Sequence, residues 1–235
     1  MPPASRAARQ VAHLIDTMRF MLRLALLIVA GVVLSTAGGC AKARQYHRWF
    51  EMSPAELRAD IATPELAAEF LDLALDPTHD RKMEGSDDWR SLAHLRRHRE
   101  GDCDDFAIAS AALLGDDGYP AKMLVVGYIR WYRDTEGKPG RRGYCHAVHL
   151  LAKDGLYGAN GQIRWDRIPP QYPTIEELVR HIPLSEGRWT FYKVIELDDV
   201  DCVAGEGNLF EQVADVWKQT KWVDVTYPPP ATQPS

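Results

Sequence analysis

The sequence predicts an α+β fold, with N-terminal helices packed on an antiparallel sheet. Three observations carry that prediction. Two Ser/Thr-Pro helix starts lie within residues 53–75, runs rich in β-branched and aromatic residues follow from 119 onward, and a tight "KDG" turn joins two of those runs. "SPAELRADI" and "TPELAAEFLDLAL" each place proline in the first helical position behind an N-cap, so both read as helices. "DPTHDRKMEGSDD" reads as a loop and "WRSLAHLRRHRE" as a short helix with a basic face. Asp102 is placed to cap a helix running to about Leu114, closed by the stretch from Gly115 to Gly118.

"YPAKMLVVGYIRWY" then reads as a strand, "RDTEGKPGRRG" as a charged loop and "YCHAVHLLA" as a second strand. After "KDG" comes a third strand, "LYGANGQIRW". "TIEELVRHI" reads as a helix, "RWTFYKVIEL" as a strand and "NLFEQVADVWKQ" as a closing helix. From Pro228 the tail "PPPATQPS" has nothing to bury, so residues 228–235 are expected to be disordered.

The N-terminus follows a different logic. Arg6, Arg9, Arg19 and Arg23 precede an apolar run from Leu24 to Leu34, and "STAGGC" follows. A basic start, a short apolar core and small residues make a secretory signal, here residues 1–39; Met18 or Met21 gives a more compact one. The run is short for a bilayer span. "AGGC" resembles the bacterial lipobox, with Ala37 where leucine is usual. That resemblance implies an exported lipoprotein anchored to the membrane by lipid on Cys40 and facing the periplasm or cell surface; ordinary signal cleavage is the alternative. Residues 40–52 then read as a tether and 53–227 as one domain.

The 235 residues are 46% hydrophobic and 26% charged, a globular composition. The formal net charge of −5 becomes −8 once residues 1–39, with four arginines and one aspartate, are removed. That argues against a nucleic-acid partner. Beyond Cys40 three cysteines remain, Cys103, Cys145 and Cys202, and no C-x-x-C spacing suggests a zinc site. An odd count in an oxidising compartment suggests one disulfide and one thiol kept for chemistry.

The chemistry concentrates in "EGDCDDFAIASAALL", where Cys103 stands among Asp102, Asp104 and Asp105 at the start of a helix. "GDCDDFAIASAALLGDDGYPAKMLVVGYI", followed by "HAVHLL" and a turn, resembles the transglutaminase-like cysteine-enzyme core. With "DDW" upstream it is similar to bacterial transglutaminase-like cysteine peptidases of the periplasm, which include calcium-dependent proteases that release surface adhesins. The resemblance covers residues 87–163. It implies a papain/transglutaminase-like core and a cysteine hydrolase acting on peptide or amide bonds, with a protein or peptide substrate. It also implies calcium at acidic residues flanking the cysteine, here Asp102 and Asp104.

The residues pose an electrostatic problem of their own. A helix tip favours the thiolate of Cys103 by only about 0.3–1 kcal/mol. One carboxylate about 5 Å away opposes it by about 3 kcal/mol at an effective dielectric near 20. Three resolutions are open: the carboxylates turn away as caps, Arg96, Arg97 or Arg99 neutralises them, or a hard cation binds Asp102 and Asp104.

The resemblance places the catalytic histidine at His146. Strand alternation puts His146 on the face of Val148 and Leu150, and His149 on the face of Ala147 and Leu151, where it reads as an ordinary strand residue. Cys145 then faces away from the site and is free to pair with Cys202. The aspartate that usually orients the histidine is missing from its expected place, which "GANG" fills with Asn160. If Lys153-Asp154-Gly155 is a three-residue turn, Asn160 lies diagonal to His146 on one face; a two-residue turn puts it on the other. Asn160 is the expected orienter and Asp166 the reserve.

Trp89 matches the tryptophan of the peptidase pattern, lining the cleft or oxyanion pocket, and reads equally as a core aromatic; the Cys103 amide is the natural oxyanion donor. The loop carrying Trp131, Tyr132, Arg133, Arg141 and Arg142 is either a contact for an acidic or extended substrate or a solvated hairpin. The rival to an enzyme is an inactive binding or scaffold lipoprotein of the same fold.

Overall fold

The computed structural model describes residues 42–77, 88–184 and 187–228. The expected signal segment, Cys40 and the tail beyond 228 lie outside the described residues, as does most of the loop expected over 76–88. No helix among the described residues is long and apolar enough to cross a membrane. Residues 42–51, expected as a tether, form a helix (α1) that belongs to a separate compact unit. Within it the rings of Tyr46 and Trp49 pack at 5.6 Å.

The main unit begins with α2 (Pro54–Asp60). Ser53 and Glu56 close a reciprocal capping box there, with bonds of 3.3 and 2.8 Å, and Pro54 takes the position where no N–H is needed. In α3 (Pro64–Ala74), capped by Thr63, the buried Ala67, Ala68, Phe70, Leu71 and Ala74 recur at helical spacing and form its packing face. The short β1 (Asp76–Pro77) pairs in parallel with β2 (Glu100–Gly101), on either side of α4 (Leu92–His98). Next comes α5 (Cys103–Leu114), buried continuously from Asp105 to Leu114. A helix apolar on all sides belongs at the centre of a fold, and each fully buried leucine, isoleucine or phenylalanine contributes about 1.5–3 kcal/mol.

A six-stranded sheet wraps this helix. It contains β3 (Lys122–Arg133), β4 (Pro139–Lys153), β5 (Leu156–Asn160), β6 (Ile168–Tyr172), β7 (Phe191–Glu196) and β8 (Val223–Asp224). Their spatial order is β6-β5-β4-β3-β7-β8, and every pairing is antiparallel. The α+β prediction holds. On one face, Ser110 of α5 meets His149 of β4, so the alternating set of Val125, Ala147, His149 and Leu151 faces the central helix. On the other face Leu124, Val126, Val148 and Leu150 form a core with Trp189 and with Leu178, Val179 and Ile182 at α6 (Ile175–His181). The closing helix, α7 (Phe210–Gln219), carries Trp217, whose ring and carbonyl hold the ammonium of the buried Lys193.

Besides α1, further elements differ from expectation: the third strand, expected over 156–165, stops at Asn160. The charged loop over 133–143 is mostly strand, because β3 and β4 stay paired out to Arg133 and Pro139. β6 was not expected, since "IPPQY" carries two prolines; it sits at the sheet edge, where missing N–H donors are tolerated.

Candidate active site

Cys103 is the first residue of α5 and is partly buried. The backbone amides of Cys103 itself and of Ala147, the residue after His146 on β4, lie near the sulfur and favour its thiolate, though less than burial and the aspartates oppose it. The fold makes this reach possible. The β4–β5 ladder ends at His149↔Asn160, which leaves the β4 edge unpaired with β5 beyond that pair, on the side of Ala147 and His146. The carboxamide of Gln162 reaches the Gly101 carbonyl at 3.4 Å, tying the segment after β5 to the approach to α5.

His146 projects on the face of Val148, as alternation predicts. Its Nε2 lies 2.8 Å from Oδ2 of Asp166, whose residue is almost fully buried. Asp166 ends a short 3-10 turn (Arg164–Asp166) just after β5. Gly161 makes that placement possible: a Cβ there would meet the Cβ of Asp166 at 2.5 Å and Val148 at 2.9 Å. With Nε2 on the carboxylate, Nδ1 is the ring nitrogen left for another partner. The imidazole also stacks on Trp189 at 6.1 Å, with 17° between the planes.

Asn160 does not orient His146. Asp154 and Gly155 both adopt left-handed conformations (φ 53° and 76°), and Lys153 pairs with Leu156. The turn therefore has two residues, and Asn160 stands opposite His149 on the face toward α5. There its Nδ2 donates to Ser110 Oγ at 2.9 Å and to the Pro64 carbonyl at 3.2 Å. His149 joins the same buried network, bonded to Ser110 and to the Pro120 carbonyl at 3.0 Å each, and burial lowers its pKa to about 4. These three side chains tie α5 to the sheet. Asp166, the reserve reading, is the acid that touches His146.

The acidic cluster divides by role. Asp105 accepts two backbone donors: its Oδ1 from Arg90 N at 2.8 Å and its Oδ2 from Asp102 N at 3.3 Å. Burial first, and the charge of Asp102 second, push Asp105 up to about 8. Asp102 holds the N-cap position, yet its Oδ1 is buried with no hydrogen-bond partner. Asp104 accepts from the Asp105 amide at 2.7 Å. One oxygen from each of the three residues fits within 4.8 Å of the others. Burial raises the pKa of the Cys103 thiol well above its usual value, and Asp104 and Asp102 raise it further. Capping therefore does not turn the charge of Asp102 aside. An orphaned buried carboxylate oxygen among close acidic neighbours suits a hard cation such as calcium.

Trp89 is a core aromatic, edge-on to Phe210 at 5.2 Å and to Trp217 at 5.8 Å. Its buried indole N–H has no acceptor among the described residues. The remaining cysteines do not pair. Cys145 is exposed on the sheet and Cys202 is buried in the loop after β7, where burial, then Asp201, pushes its pKa up to about 12. Beside His146 opens a cleft of about 460 Å³ walled by Tyr128, Tyr144, Trp189 and Leu184, with the exposed Ile163 and Trp165 at its lip. Sequence reasoning missed Trp189, Gly161 and this lip, none of which sits in a recognisable motif.

No family model matches the chain, and no curated protein matches it. Among solved structures it is similar to LapG from Legionella pneumophila. The EGTA-treated form is 15% identical at a TM-score of 0.36, covering 59% of this chain and 69% of that one. The calcium-bound form is 17% identical at 0.35, covering 58% and 75%.

Proposed function

We propose that the protein is an exported cysteine peptidase or amidase of the transglutaminase-like type, with Cys103 as nucleophile, His146 as general base and Asp166 as orienter. The observation that carries this reading is the His146–Asp166 pair at 2.8 Å, on the strand whose next residue, Ala147, has its amide near the Cys103 sulfur. Nδ1 of His146 takes the thiol proton as sulfur attacks the amide carbonyl, and Asp166 stabilises the resulting imidazolium. The Cys103 amide is the donor to the developing oxyanion. Collapse of the tetrahedral intermediate breaks the C–N bond, and the imidazolium protonates the leaving amine. Water then hydrolyses the thioester, with His146 again as base; an amine in place of water gives transamidation.

Asp102 and Asp104 hold calcium in this reading, with Asp105 completing the acidic group. A cation held by these residues would supply positive charge and offset the aspartates' share of the raised pKa of the Cys103 thiol. The N-terminal pattern of residues 1–40 supports export and lipid attachment at Cys40. The test is mass-spectrometric mapping of new termini after incubation with extracts of envelope proteins and calcium. Cleavage by the native protein and none by Cys103→Ala supports the proposal. Equal cleavage by both, or none by either, refutes it and leaves the binding-module reading.

A further inference from the structure

We propose that the cleft beside His146 is a docking groove for the chain's own C-terminal segment, residues 229–235, which lies in it as an extended polyproline helix and closes the site in cis. The residues just before that segment aim the chain there. Past β8 the backbone keeps pairing beside β7: Asp224 stands opposite Phe191, and Val225 N donates to the Thr190 carbonyl at 3.0 Å. Thr226 N donates to Glu176 Oε1, and Arg180 Nε donates to the Thr226 carbonyl, both at 2.7 Å. The Tyr227 hydroxyl donates to the Trp189 carbonyl at 3.0 Å, and the Arg188 guanidinium lies 4.8 Å from the Tyr227 ring centre. Three consecutive residues pinned in this way deliver Pro228 beside Trp189.

There Pro228 lines a hollow of about 540 Å³ together with Pro183, Leu184 and Trp189. Those same three residues also wall the cleft that holds His146 and Asp166, so hollow and cleft share one side. Trp189 is fixed in that wall, because its indole N–H donates to the Ile182 carbonyl at 3.0 Å, and its ring stacks on His146 at 6.1 Å. Seven residues in a polyproline helix span roughly 20 Å. That length is enough to pass Trp189 and cover the imidazole.

The chemistry of the segment matches the cleft. "PPATQPS" carries no charged side chain. No lysine, arginine or glutamate stands among the described residues of the cleft wall, and its one carboxylate, Asp166, is paired with His146. A neutral chain is buried there without stranding a charge, whereas an acidic or basic one leaves an unpaired ion. Proline-rich segments dock on aromatic walls. Here the rings of Tyr128 and Tyr144 stack at 5.1 Å with 11° between planes, and Trp189 meets Tyr128 edge-on at 5.8 Å. Ile163 and Trp165, 48% and 70% exposed, give the lip an apolar edge that an overlying chain covers. Pro229, Pro230 and Pro234 have φ already fixed, so ordering the segment costs little entropy. They also lack the N–H with which an extended substrate pairs a strand, so Pro229 and Pro230 cannot donate to the stretch of β4 that β5 leaves unpaired. The segment therefore fills the cleft without a substrate's pairing. Its tether gives it an effective concentration on the order of millimolar, so even a weak contact keeps the cleft occupied.

The test uses the Cys103→Ala protein, which binds without turnover, both at full length and ended after Pro228. Fluorescence anisotropy is measured with a labelled PPATQPS peptide and with AAATQAS as its proline-free control. The shortened protein is expected to bind the proline peptide roughly tenfold more tightly than the control. The full-length protein is expected to bind it roughly tenfold more weakly than the shortened one, because its own segment competes. Full-length Pro229→Ala/Pro230→Ala/Pro234→Ala is expected to bind like the shortened protein, and Trp165→Ala in the shortened protein to weaken binding roughly tenfold. Circular dichroism of all variants is expected to match the parent. Equal binding by full-length and shortened proteins, binding by neither, binding untouched by Trp165→Ala, or a full-length protein that dimerises only when its C-terminal segment is present overturns the proposal. Failure of the peptidase reading appears separately, as an inert Cys103 in the native protein with peptide binding intact.

Discussion

Replacing Asp166 with asparagine separates an oriented, charge-stabilised imidazole from a histidine that merely lies nearby. The carboxylate meets His146 Nε2 at 2.8 Å, and the Asp166 residue is almost wholly shielded from water. A hydrogen bond to a charged group contributes about 1.5–3 kcal/mol, and this one joins the ring to a carboxylate. Losing it weakens the support for a thiolate–imidazolium pair by the same amount, about 10- to 150-fold. The assay is the second-order rate of iodoacetamide alkylation at Cys103, read by peptide mapping in a Cys145→Ser background because Cys145 is also exposed. It requires no substrate. Asp166→Asn is expected to slow alkylation by one to two orders of magnitude, while Asn160→Ala keeps the rate and loses about 1–3 kcal/mol of stability through its two buried hydrogen bonds. A rate within about twofold of the parent in Asp166→Asn, or a collapse in a still-folded Asn160→Ala, refutes the reasoning.

Calcium is expected to speed Cys103 alkylation by about one to two orders of magnitude relative to EGTA. In Asp102→Asn/Asp104→Asn the thiol is expected to be fast already and insensitive to calcium, because neutral side chains remove the same opposing charge. His149 governs acid stability. Its folded pKa near 4 lies below the unfolded value of 6.5, so stability present above pH 6.5 is lost as pH falls toward 4, by about 3 kcal/mol. Urea unfolding across that range checks it, and His149→Gln is expected to flatten the profile. Lys193, lowered to about 8 by burial, loses its proton earlier in the folded state, so the parent gains stability as pH rises above about 8. Lys193→Met is expected to lack that gain and to unfold within about 1.5 kcal/mol of the parent at neutral pH.

Local chemistry made much of the fold legible. Ser53, Thr63 and their following prolines announce helix starts, and β-branched content announces the strands, because caps and pleats are properties of a few neighbouring residues. The face assignments of His146 and His149 follow from the same short-range rules, whereas the choice of His146 as base rests on the family resemblance. The orienter was not legible, because its position depends on one turn. Positive φ at Asp154 as well as Gly155 shortens that turn to two residues, and the slip moves Asn160 to the other face of the sheet. Asp166 then arrives from a 3-10 turn beyond the strand, past Gly161, which no periodicity marks. The orphaned Asp102 oxygen was equally hidden, since nothing in "GDCDD" tells which aspartate receives the backbone donors.

The most direct measurement is an ultraviolet thiolate titration of the calcium-loaded Cys145→Ser protein, with and without His146→Ala. Thiolate absorbance already present at neutral pH in the parent, and absent in His146→Ala, is the predicted result. A Cys103 that ionises only in alkali, at the same pH whether or not His146 is there, contradicts the account.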